Sequence, residues 1–226
     1  MTRPVANFHG IGEPPIAIDA DERPYWLSET QYAEAISRLM DSDKAVLFTF
    51  DDGNLSDLDI GAPALGDAEA VFFICSNRIG REGYLDREQL QELAAVRNFR
   101  IGSHGCDHTS WRTVSGAARK AEIAGSRKQL EVAIQAPVIE AGIPFGAYDR
   151  GVLKDIADAG YTAAYSSDGG PRYTMIDADP TRVIPRLSFR GDRDIAAQAH
   201  ALLESCSIAA RLKQEARLRA KVLLKR

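Results

Sequence analysis

The sequence predicts an α/β protein in which seven parallel strands close, or nearly close, into a (β/α) barrel. Two observations carry this expectation. Seven short strand-like segments are separated, for the most part, by stretches with helical periodicity, an alternation that marks a parallel sheet with crossover helices. Each polar cluster of note also follows directly on such a segment: His9, Asp51-Asp52, His104 to His108, Phe145 to Tyr148 and Ser167-Asp168. In parallel α/β folds the C-terminal strand ends form the functional face. A flat, doubly wound sheet would not bring seven such ends around one point, whereas a barrel does.

The elements follow in order. Residues 5–10 hold a short strand ending in His9, and residues 11–24 form a loop. Ser28 is an N-cap with Gln31 as its capping-box partner, starting a helix to about Met40 with Tyr32, Ala35, Ile36 and Leu39 on its apolar side. Residues 45–50 form a strand, 58–65 a helix weakened by Gly61 and Pro63, and 70–74 a strand. Asp86 caps a helix to Val96, and 100–103 is a strand. A long helix runs from Ser115 to about Ala133, and 138–143 is a strand. A helix from Asp149 ends at Gly160, followed by a strand over 161–165, a loop over 172–180 and a last strand over 182–187. Asp192 caps a final helix to about Leu203.

Two stretches carry chemistry. Leu47-Phe48-Thr49-Phe50 runs into Asp51-Asp52-Gly53. Adjacent carboxylates at a strand end repel and are costly to desolvate, so they call for a compensating cation. An Asp-Asp-Gly hairpin turn is the alternative for these residues alone. His104 and His108, in Ser103-His104-Gly105-Cys106-Asp107-His108, are spaced as one helical turn would place two imidazoles on one face. Such a pair is otherwise a solvated helix face. One Asp and two His make a three-ligand site with open positions. Cys106 reads as packing.

Together the two stretches resemble the first two motifs of the polysaccharide deacetylase (NodB-homology) family, over residues 5 to about 190. The resemblance implies a distorted, seven-stranded (β/α) barrel and a metal-dependent removal of N-acetyl groups from a carbohydrate. It implies Asp51 as general base and Asp52, His104 and His108 as ligands of one divalent ion, zinc first, with Co2+, Ni2+, Fe2+ or Mn2+ as alternatives. Phe145, in Ile143-Pro144-Phe145-Gly146, matches the third motif, whose backbone N–H holds an oxyanion.

The sequence departs from the commonest pattern in three places. No late Leu-x-His strand supplies an acid: His200 lies in a helical stretch, while Phe8-His9-Gly10-Ile11 resembles a permuted branch of the family with its acid near the N-terminus, which points to His9. Gly142 stands where the family often has an Arg that pairs with the base, and Arg186, ending the last strand, is the candidate replacement, with a bidentate head suited to a carboxylate. The Asp-Trp motif is absent. Asp168, Tyr148 and Trp111 are expected to bind substrate, Trp111 by stacking on a sugar face; packing in the core is the alternative for Trp111.

Length and composition bound the rest. A chain of 226 residues with 45% hydrophobic content suits one large domain, here 1–207, followed by a basic tail, 208–226. The tail carries +6 and the body −10, which argues against nucleic acid as a partner. The tail reads as a helix that lies on an anionic membrane surface, docks on a partner, or frays. Three cysteines without framework spacing and an N-terminus without an apolar leader lead us to expect a cytoplasmic protein. The expected substrate is an N-acetylated sugar or a polysaccharide precursor, lipid-linked if the tail meets a membrane. The rival readings are a cyclic imide or ureide hydrolase on the same scaffold, and an inactive carbohydrate-binding relative.

Overall fold

The computed structural model describes residues 3–14, 18, 20–169, 174–175 and 182–204. The expected tail, and the boundary at 207/208, lie outside them.

Six parallel strands run in chain order around the sheet: Val5–Phe8 (β1), Leu47–Asp52 (β2), Ala70–Ile74 (β3), Phe99–Ser103 (β4), Glu140–Gly142 (β5) and Ala163–Ser166 (β6). The last expected strand is split. Arg182–Pro185 (β8) pairs with β6, Arg186 interrupts the ladder, and Leu187–Ser188 (β9) pairs with β1. Because one residue joins β8 to β9, the ring of seven parallel segments closes through Arg186. Its backbone N–H donates to Ser166 O at 2.8 Å and its carbonyl accepts from Gly169 N–H at 2.9 Å. One element departs from the expected loop over 172–180: Thr174–Met175 (β7) pairs antiparallel with β8.

Side chains alternate across each strand. Phe8, Phe48, Phe50 and Phe72 face the layer between strands and helices, where they pack with Tyr32, Ile36 and Leu39 of α1 (Glu29–Met40). Val5, Leu47, Val71, Phe73, Ala163, Tyr165 and Ile184 form a second cluster that fills the barrel interior. Along the same inward positions, nearer the strand ends, come Asn7, Thr49 and Asp51, all buried. The interior thus has an apolar floor and a polar upper layer.

The caps hold the helices where the sequence places them. Ser28 with Gln31 and Asp86 with Gln89 form capping boxes, the latter opening α2 (Arg87–Ala95), and Asp149 accepts Val152 N–H at the start of α5 (Arg150–Asp158). Three elements differ from expectation. The segment over 58–65 is a π turn, Asp57–Gly61, followed by a 3-10 turn, Ala62–Leu65, because Pro63 removes a donor from any regular ladder. The long helix divides into α3 (Gly116–Lys120), a π turn (Ala121–Gly125) and α4 (Ser126–Ile134). Ser126 Oγ bonds the Glu122 carbonyl at 2.6 Å within the π turn, and the Glu122 carboxylate accepts Cys106 N–H at 2.9 Å, tying down the histidine loop. At α6 (Ile195–Glu204) it is Asp194 that accepts Ala197 N–H; Asp192 pairs with Arg190 instead.

Asp57 is an anomaly of the core. It is fully buried, and among the described residues neither carboxyl oxygen has a well-formed hydrogen bond. Burial first, then the charges of Asp52 and Asp51, push its pKa well up, with weak compensation from the Asn54 backbone. The folded state therefore holds a proton that the unfolded chain releases near pH 4. Stability falls as pH rises from there towards the folded pKa. Asp57→Asn, which has no proton to lose, should remove that decline. Urea melts of both proteins between pH 4 and 8 test this; parallel curves would refute it.

Candidate active site

A cavity of about 250 Å³ opens at the C-terminal strand ends and is lined by His9, Glu22, Tyr25, Asp51, Asp52, His104, His108, Phe145, Ser167 and Ser188, with Asp21 at its rim. It gathers the two carboxylates, all three predicted histidines and Phe145. Neighbouring strand residues should point to opposite faces, yet both aspartates reach this cavity. Asp51 points inward in regular geometry, while Asp52 leaves the strand with φ of 82°, the left-handed region, and Gly53 continues at 78°.

Asp52, His104 and His108 place one ligand atom each within 4.8 Å of the others. His108 Nε2 lies 3.5 Å and His104 Nε2 3.9 Å from Asp52 Oδ1. The Nδ1 of His104 lies 2.8 Å from the Gly142 carbonyl, which sets the tautomer with Nδ1–H and leaves Nε2 as a lone pair facing the cluster. Burial lowers the His104 pKa to about 4 against the pull of Asp51, so the ring is neutral at physiological pH, as a ligand must be. A carboxylate and two imidazoles so arranged suit a divalent cation, and these three residues can hold one. Cys106 stands outside the cluster, buried, with Sγ towards the Ala121 carbonyl.

Arg186 reaches Asp51. Its Nη1 donates to Asp51 Oδ1 at 2.7 Å and its Nη2 to Oδ2 at 2.9 Å, a bidentate pair with both partners buried. The guanidinium sits 5.1 Å above the Phe73 ring, on the apolar floor. Asn7 completes the clamp: its amide donates to Asp51 Oδ2 at 3.0 Å, and its carbonyl oxygen accepts from Arg186 Nη1 at 2.8 Å and from Thr49 Oγ1 at 2.7 Å. Burial alone would raise the Asp51 pKa; Arg186, His104 and His9 outweigh it and hold the carboxyl far below the usual range. Gly142 explains why the arginine arrives from this strand. A Cβ there would lie 2.8 Å from Phe73 Cγ and 3.0 Å from His104 Nδ1, so no side chain fits.

His9 Nε2 lies 3.8 Å from Asp51 Oδ2, and its ring packs 4.8 Å from that of Tyr25. Burial lowers its pKa, partly offset by Asp51 and Asp52. His200 is exposed on α6, away from the cavity lining. Phe145 is 63% exposed, has φ of 59°, and its ring lies 4.5 Å from that of His108.

The other expected substrate residues fare differently. Trp111 is fully buried in the main core and lines none of this cavity, the packing alternative and not the stacking one. Tyr148 is also buried; its hydroxyl donates to Asp168 Oδ2 at 3.0 Å and so braces that residue instead of facing the cavity. Asp168 lines an adjoining pocket with Ser167, Ser188 and Arg190. Sequence reasoning missed Asn7, Glu22, Tyr25 and Arg78, whose Nη1 lies 3.1 Å from Asp52 Oδ1. Of these, Asn7 left a trace, as a polar residue inside an otherwise apolar strand.

Fold and site together define a (β/α) barrel with a carboxylate–imidazole cluster, able to hold a metal ion, at the C-terminal ends of its strands. The family model described as polysaccharide deacetylase matches residues 39–164, more than half of the chain, and the protein belongs to that family. A relative from Bacillus subtilis (strain 168), YxkH, assigned to the polysaccharide deacetylases, is 28% identical over 131 residues, which are 57% of this chain and 47% of the relative. The chain thus spans about half the length of the curated relative it matches. BC0361, a polysaccharide deacetylase from Bacillus cereus, superposes with a TM-score of 0.76 at 19% identity, covering 89% of this chain and 69% of that one. The Streptococcus pyogenes deacetylase PplD, in complex with acetate, gives 0.72 at 16% identity over 92% and 99%. IcaB from Ammonifex degensii gives 0.69 at 18% identity over 89% and 97%. These likenesses show the fold, a deacetylase-type barrel. No helix among the described residues is long and apolar enough to cross a membrane.

Proposed function

We propose that this protein removes N-acetyl groups from a carbohydrate, a polysaccharide or its precursor, and releases acetate. The observation that carries the reading is the convergence of Asp51, Asp52, His9, His104 and His108 on one cavity. Asp52, His104 and His108 would hold one divalent ion, zinc by the donor set, which supplies Lewis-acid polarisation of a carbonyl and acidification of water.

The chain's own residues do the rest. Asp51, kept ionised by Arg186 and Asn7, accepts the proton of the attacking water. A C–O bond forms, and the oxyanion takes a hydrogen bond from the N–H of Phe145, a cavity-lining residue in the left-handed region. The C–N bond then breaks and His9 protonates the leaving amine. Because burial leaves His9 neutral at rest, its proton comes from Asp51, whose Oδ2 lies 3.8 Å away and whose clamp makes it a poor place to keep a proton. Phe145 and Asp168 are the substrate contacts, and the protein acts in the cytoplasm, with the tail at a membrane face or a partner.

Elemental analysis, paired with acetate release from a panel of N-acetylated sugars, tests the reading. We expect one metal per chain, and we expect His9→Ala to lower kcat roughly 10²–10⁴-fold with metal retained. A metal-free protein that releases no acetate would overturn it. Full activity in His9→Ala would remove His9 from the acid role.

A further inference from the structure

His104 and His108 are held by different means. His104 has a backbone carbonyl, that of Gly142, at its Nδ1. His108 sits at φ of 57°, outside regular structure, and the acceptor beside its Nδ1 is a side chain: Glu22 Oε1, at 3.5 Å. Glu22 comes from the loop between β1 and α1, far from the histidine motif in sequence. The contact belongs to a closed ring. Glu22 Oε1 lies 3.8 Å from Arg78 Nη2, Arg78 Nη1 lies 3.1 Å from Asp52 Oδ1, and Asp52 Oδ1 lies 3.5 Å from His108 Nε2. The guanidinium is itself seated 5.0 Å above the Tyr84 ring.

The chemistry of the ring has one consistent solution. An imidazole that offers Nε2 as a lone pair carries its proton on Nδ1, and the acceptor facing Nδ1 selects that tautomer. Arg78, placed between Glu22 and Asp52, keeps the two carboxylates from repelling each other. We propose that Glu22 is the positioning residue that fixes the tautomer and orientation of His108 for metal binding, with Arg78 holding Glu22 and Asp52 in register. The inference rests on the metal site proposed above. It gives the β1–α1 loop a second task, since the 3-10 turn that follows Glu22, Arg23–Tyr25, also places Tyr25 against His9.

The test uses metal-stripped protein and the metals themselves. Zn2+ affinity is measured by chelator competition, the Co2+ form by its visible spectrum, and the stripped protein by its melting temperature, for wild type, Glu22→Ala and Glu22→Gln. Glu22→Ala should bind Zn2+ roughly 10–100-fold more weakly and show an altered Co2+ spectrum. Both ring contacts of Glu22 converge on Oε1, which glutamine retains, so Glu22→Gln should fall between the alanine variant and wild type. Zn2+ affinity in Glu22→Ala within about twofold of wild type, with an unchanged Co2+ spectrum, would overturn the inference while leaving the metal site standing. Equal losses in both variants, together with a lowered melting temperature, would also overturn it, as the sign of a residue that only holds the loop. A wild-type protein that takes up neither metal would sink the metal site and this inference with it.

Discussion

Asp51→Asn should lower kcat for acetate release by roughly 10²–10⁴-fold while leaving metal content unchanged. In the proposed mechanism the carboxylate is the acceptor for the proton of water, and it is not among the three residues that can hold the ion. The substitution has a structural cost that must be separated from the chemical one. Asp51 accepts three hydrogen bonds, two from Arg186 and one from Asn7. An amide in its place offers one oxygen to those donors and turns its own N–H groups against the rest. It also leaves the Arg186 charge buried without a counter-charge. Activity is therefore read per folded, metallated molecule. Retained kcat in such a preparation would remove Asp51 from the base role.

Arg186→Met carries the largest expected effect on stability. The arginine is fully buried and its only carboxylate partner among the described residues is Asp51, also buried. Removing one member of such a pair costs about 3–5 kcal/mol, because the other remains as an uncompensated buried charge. The pH dependence has a definite sign. The Asp51 pKa is depressed in the folded protein, so the pair's contribution is fully present above the ordinary Asp pKa and is lost as pH falls through the folded value. Without Arg186, the burial that favours the neutral acid goes unopposed from that side, and acid unfolding should set in at higher pH. Adding Asp51→Asn to Arg186→Met should recover part of the lost stability, since the orphaned charge is then gone. Urea melts of the two single variants and the double variant form the cycle. Strictly additive losses would show that the two residues do not act as a pair.

The pair also bears on the rival readings. The missing third-motif arginine and Asp-Trp motif leave room for a cyclic imide or ureide hydrolase, while the intact Asp51, Asp52, His104 and His108 argue against an inactive relative. The supply of that guanidinium from the β8–β9 junction supports the deacetylase reading over both.

The sequence by itself determined what depends on short range. The strand–helix alternation, the helix caps at Ser28 and Asp86, and the two motifs that end β2 and β4 are all carried by neighbouring residues. The Asp52, His104 and His108 cluster was legible because each half of it lies within one short stretch of sequence. Only the tertiary structure decided what the ring closure brings together. Arg186 and Asp51 are 135 residues apart and meet because the last strand divides between β6 and β1 at that residue. Asn7 joins them because β1 stands beside β2 in a register that pairs it with Thr49. Trp111 turned inward, and Tyr148 turned to Asp168, because an aromatic side chain reads the same in sequence whether it packs in a core or faces a sugar. Glu22 and Arg78 left no local sign at all. They are surface-type residues on a turn and a short 3-10 helix, and their relation to His108 and Asp52 exists only where a closed barrel crowds its connections around one mouth.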